Sequence, residues 1–167
     1  MGLDVSLITK TPIAKKGTGV FIRENGKNKE LTVEEVREKF PNTVIEEYEF
    51  ETDCVFDANI THNLGKMADK AGIYEACWRP YHLHPDCPKE FANYDEEYAF
   101  EESHPMLAKD IIQKLEKGYE DMKARPDYFK QFDSENGWGL YIHFLPWVEK
   151  YLKACKTYPD AEIYVSR

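Results

Sequence analysis

At 167 residues, with 42% hydrophobic and 32% charged side chains, the chain has the composition of a globular domain able to bury roughly 70% of its unfolded surface, well away from disordered sequences. The formal charge of −9 argues against general binding to DNA or RNA, which needs clustered Lys and Arg, and leaves room for a small anionic ligand in a local pocket. No apolar run approaches the ~20 residues of a membrane span, the N-terminus lacks a secretory pattern and the four cysteines, Cys54, Cys77, Cys87 and Cys155, are scattered, so a cytoplasmic chain with reduced thiols is expected.

Residues 3–9 alternate as a strand does, and residues 19–23 followed by Glu24-Asn25-Gly26-Lys27 read as a strand entering a tight turn, which makes the first thirty residues a β-hairpin region. Thr32-Val33-Glu34-Glu35 is a capping box, and Val33, Val36 and Phe40 supply the stripe of a short helix that ends before Pro41. Over residues 44–56, β-branched and aromatic side chains alternate with acids, the pattern of a half-exposed strand or strand pair with the acids toward solvent. Leu64, Met67, Ala68 and Ala71 fall at helical spacing and stop at Gly72, which predicts a helix over about 61–71, with residues 73–78 adding another turn.

The stretch 79–104 is rich in Pro, Tyr, His and acids, lacks a clear period and is too long for an idle connection, so it reads as a functional loop or mobile lid. Ser103 reads as the N-cap of a helix whose stripe is Leu107, Ile111, Leu115, Tyr119 and Met122, interrupted by Gly118. Tyr141, Phe144, Leu145, Val148, Leu152 and Cys155 mark a last helix, which Pro146 either kinks or begins. Residues 161–165 close the chain as a strand. Strands near both termini with helices between them give an α+β class: a small antiparallel or mixed sheet packed against three to four helices, in a single domain over residues 1–167.

Polar and aromatic residues gather at three places. Asn59-Ile60-Thr61-His62-Asn63 puts hydrogen-bonding side chains beside the free amides of a helix start, suited to a carboxylate, a phosphate or a base edge; ordinary capping is the competing and commoner use. Trp78 and Arg79 offer a stacking face and an anion-binding fork, against the plainer reading of a core Trp beside a surface Arg. Asn136-Gly137-Trp138-Gly139 lets the backbone turn sharply toward a ligand or simply toward a neighbouring element. The set His82, His84 and Cys87, with His104 and Cys77 farther off, matches no strong zinc spacing, and no metal or cofactor is expected. No nucleophile elbow, phosphate loop or zinc-protease motif occurs.

Five features together, Met1 to Asp4, Asn59 to Ala68, Trp78-Arg79-Pro80, Glu135 to Gly139 and Pro159-Asp160-Ala161, make the chain resemble small uncharacterised proteins carried by bacteriophages and prophages. Pro146 departs from the uninterrupted helix of such proteins. The resemblance implies a context, interference with host defence, rather than a mechanism. In that context the expected function is binding, and sequestering without catalysis, of a small polar or nucleotide-like molecule by Asn59, Thr61, His62, Asn63, Trp78, Arg79, Asn136 and Trp138. A hydrolase or lyase using His62 or a loop histidine, and an acidic inhibitor of a host protein, are the competing expectations. Homo-oligomerisation stays open.

Overall fold

The computed structural model describes residues 2–167. The chain forms two compact units, one from its N-terminal residues to Thr9 together with Asp53–Arg167, the other from Lys10–Thr52. The chain passes between them within two long strands, β1 (Gly2–Lys15) and β4 (Tyr48–Thr61), which is why no linker composition marks the change.

In the larger unit, β1 is the central strand of a sheet ordered β4-β1-β5, with β5 formed by Glu162–Ser166. The sheet is antiparallel: Val5 lies opposite Val165 and Leu7 opposite Ile163, while Asp4 meets Asn59 and Ser6 meets Asp57 in reversed order on the other side. Alternation along β1 sends Leu3, Val5 and Leu7 fully into the core, each burial worth roughly 1.5–3 kcal/mol relative to exposure.

Helices cover that face, and α+β is the class observed. They are more numerous and shorter than expected. The segment after β4 is a 3-10 turn, His62–Leu64, running into α2 (Gly65–Lys70), and it stops where Gly72 takes φ 71°. Then come α3 (Tyr74–Trp78), a 3-10 turn at Pro80–Leu83, α4 (Tyr94–Ser103), α5 (Ala108–Ala124), α6 (Pro126–Lys130) and α7 (Tyr141–Thr157). The two longest, α5 and α7, pack on each other through Ile111, Leu115 and Met122 on one and Phe144, Val148, Leu152 and Cys155 on the other, all buried.

Two expectations are corrected. Residues 79–104 are not one irregular loop: Asn93 accepts the Glu96 amide at 2.9 Å and opens α4. This helix buries none of its residues, so it has no apolar stripe to read. Ser103 caps nothing ahead of it; it is the last residue of α4, its hydroxyl donating to the Ala99 carbonyl at 2.7 Å. The next helix, α5, has Leu107 as its N-cap, whose amide is taken by Asp110 at 2.9 Å. Of the two places open to Pro146, it takes the one inside α7 rather than the first turn.

The smaller unit contains a hairpin, β2 (Phe21–Glu24) with β3 (Lys27–Glu30), and helix α1 (Val33–Lys39). Asn25 and Gly26 both take positive φ, 50° and 75°, the conformation that matches a two-residue turn to strand twist. The capping box forms as expected: Thr32 accepts the Glu35 amide at 3.3 Å and Glu35 accepts that of Thr32 at 2.8 Å. Only Leu31 and Val36 of this unit are buried, while Ile13, Phe21, Phe40, Val44, Tyr48 and Phe50 stay exposed.

Candidate ligand-binding groove

Trp138 and Tyr94 are the most exposed large aromatic residues, both at 72%, and the loop beneath Trp138 explains its position. Ser134 donates its hydroxyl to Asn136 Oδ1 at 2.6 Å, and that same oxygen accepts the Trp138 amide at 2.9 Å. The Ser134 amide reaches the Gly139 carbonyl at 3.0 Å and closes the loop. Gly139 has φ 130°, and a Cβ there would lie 2.9 Å from Asn63 Cβ. Glycine is therefore required twice over, for its backbone angle and for the contact that seats the loop against the start of the 62–64 turn. Asp133 accepts the Tyr141 amide at 2.6 Å and starts α7 directly afterwards.

The Trp138 ring borders two adjoining pockets. One, of 380 Å³, is lined by Gly2, Asn59, Thr61, Asn63 and Trp138. The other, of 350 Å³, shares Thr61 and Trp138 and adds apolar wall from Ile60, Leu64 and Leu140, with His143 at its edge. Asn59 donates Nδ2 to Asp4 Oδ1 at 2.6 Å, which fixes its amide and leaves its carbonyl oxygen as an acceptor. Thr61 accepts the Asn63 amide at 3.3 Å and keeps its own proton to donate. Thr61 thus caps the turn and also lines the pocket.

Of the eight expected residues, the fold brings Asn59, Thr61, Asn63 and Trp138 together. Asn136 braces the loop with its oxygen. Trp78 is buried at 1%, stacked on Tyr74 at 5.3 Å and edge-on to Phe144. Its indole Nε1 donates to His62 Nδ1 at 3.1 Å. An indole only donates, so the neutral His62 ring carries its proton on Nε2; Trp78 holds the 62–64 turn from the core side. Arg79 donates to the Tyr81 hydroxyl at 3.0 Å and to Glu97. Tyr81 donates to Glu97, accepts from Arg167 at 2.9 Å, and Arg167 forks onto Glu101 at 2.8 and 2.9 Å. The Tyr81 bond, opposed by burial and aided by the Arg79 charge, holds Glu97 below the usual carboxylate range, while burial and the bond to Glu97 push the Tyr81 phenol up.

Gly2, Ile60, Leu64, Leu140 and His143 line the groove without having been singled out. Ile60 and Leu64 carried only core-like hydrophobicity, and His143 no signal beyond following the glycine-bracketed Trp. Elsewhere in this unit, His84, Asp86 and His104 offer ligand atoms within 4.8 Å of one another. Cys77 and Cys155 are buried, and burial pushes the Cys155 thiol up to about 12, which removes both as nucleophiles at neutral pH. No family model, curated protein or solved structure matches the chain.

Proposed function

We propose that the groove around Trp138 binds a planar, nucleobase-bearing small molecule and that the protein acts by holding it, in keeping with sequestration of a nucleotide-type host defence signal by a phage protein. The observation that carries this reading is a tryptophan 72% exposed, Trp138, beside three hydrogen-bonding side chains, Asn59, Thr61 and Asn63. Base-on-aromatic stacking contributes about 1–3 kcal/mol per base, and amide groups can satisfy the mixed donors and acceptors of a base edge. Among the lining residues His143 is the one titratable side chain, and Arg79 is engaged with Tyr81 and Glu97. Phosphates of a bound nucleotide accordingly point to solvent, and affinity depends weakly on their number.

The test is to incubate the purified chain with a small-molecule extract of phage-infected bacteria, release bound species by heat and identify them by mass spectrometry. An intact base-containing compound is the expected result. Recovery of an altered compound instead favours a hydrolase or lyase. Empty protein sinks the reading and favours a protein-binding role.

A further inference from the structure

His84 and His104 are far apart in sequence, yet their rings meet edge-on with centroids 4.7 Å apart. The fold produces this because His84 ends the 3-10 turn Pro80–Leu83 and His104 is the C-cap of α4. His104 is held from two sides. Its ring stacks on Phe100 at 4.0 Å, and its Nδ1 lies 3.1 Å from the Phe100 carbonyl oxygen. Nδ1 also lies 3.0 Å from the Ser103 hydroxyl; in the tautomer that donates from Nδ1 to the Phe100 carbonyl, Nε2 presents a lone pair, the way a second partner sets the tautomer of a metal-binding histidine. His84 Nδ1 accepts the Asp86 amide at 3.1 Å and lies 3.9 Å from Asp86 Oδ2, so its lone pair already faces Asp86.

We propose that His84, Asp86 and His104 form a binding site for a divalent transition-metal ion of the zinc type. Two imidazoles and one carboxylate are a donor set such ions accept, with water filling the remaining position. Bonds of about 2.0–2.1 Å in a tetrahedral shell put ligand atoms about 3.3–3.4 Å apart. The present spread, within 4.8 Å, closes by side-chain shifts of roughly 1 Å to reach those bond lengths. Asp86, whose side chain is 80% exposed, is free to make that shift, and the ion replaces the Asp86 amide at His84 Nδ1. His82 is not a ligand, because its Nε2 faces Glu97 at 3.5 Å. Nor is Cys87, whose thiol lies 3.5 Å from the Pro88 carbonyl. The bound ion ties the chain after the Pro80–Leu83 turn to the end of α4.

The experiment is calorimetric titration of the chelator-stripped full chain with zinc chloride near neutral pH, alongside His104→Gln, Asp86→Asn and the control His82→Gln, with melting curves of each without zinc. Expected are one ion per chain, a loss of roughly tenfold or more in affinity for H104Q and D86N, unchanged binding in H82Q, and slower amide exchange over residues 84–104 when zinc is bound. Absence of binding to the wild type overturns the proposal, as does equal affinity in H104Q and D86N or an equal loss in H82Q. Should H104Q melt early, the exposed Asp86 variant decides.

Discussion

Glu97 shows how a carboxylate on a helix that buries none of its residues becomes structural. Its side chain is 17% exposed and joins Arg79, Tyr81 and His82. Because its folded pKa is depressed, the stabilisation it supplies is present above the ordinary carboxylate value of 4.5 and is lost as pH falls through the lower folded value. Replacing Glu97 with Gln should destabilise the protein by about 1–3 kcal/mol at neutral pH. In urea unfolding, the difference from wild type should shrink as pH is lowered beyond the ordinary carboxylate value and the native carboxylate also protonates; an undiminished difference under acid would assign the effect to packing instead. Arg79 was expected from sequence as an anion fork. A guanidinium's partners are chosen by tertiary contact, and Glu97, which takes up this one together with Tyr81, is not near it in the chain.

At the scale of elements, Gly118 illustrates why a residue that reads as an interruption is a contact. On an exposed helix, Ala is favoured over Gly by about 1 kcal/mol. Here a Cβ would lie 2.2 Å from Ile73 Cγ2 and 2.8 Å from the Ala71 carbonyl oxygen, and the backbone oxygen cannot step aside without moving the segment that leads into α3. Gly118→Ala is therefore expected to lower stability by about 1–3 kcal/mol, read as a lower melting temperature; a more stable variant would contradict this crossing of α5. Elements whose signals are local were legible in the sequence: the Thr32 capping box, the Asn25-Gly26 turn, the stop at Gly72 and the α5 stripe. Helix α4 was not, because periodicity reports burial on one face and this helix buries none of its residues. Ser103 misled for a related reason, since a serine hydroxyl that can cap a helix start can equally bond back to a carbonyl one turn earlier at a helix end.

Across the whole molecule, the groove draws on the first strand at Gly2, the end of β4 and the turn after it at Asn59 to Leu64, and the loop and helix start at Gly137 to His143. Sequence reasoning could nominate Asn59, Thr61, Asn63 and Trp138 by chemistry. What brings them together is the antiparallel pairing of β1 with β4 and the close seat of Gly139 on Asn63, which no local pattern encodes. Trp78 fell out of the set because the same aromatic face that can stack on a ligand also fills a core, and burial decided it.

The groove's exposed ring makes the central claim directly measurable. Trp78 and Trp147 are buried, so ligand contact at the surface is reported chiefly by Trp138. Titrating adenosine, guanosine, cytidine and uridine, and their 5′-monophosphates, against intrinsic fluorescence is expected to give saturable quenching with at least one base. That quenching should change little on adding the phosphate and should disappear in Trp138→Ala, whose melting temperature should match the wild type. Saturable binding that survives unchanged in the Trp138→Ala protein, followed by calorimetry, or no saturable response to any of the four bases, would contradict the account.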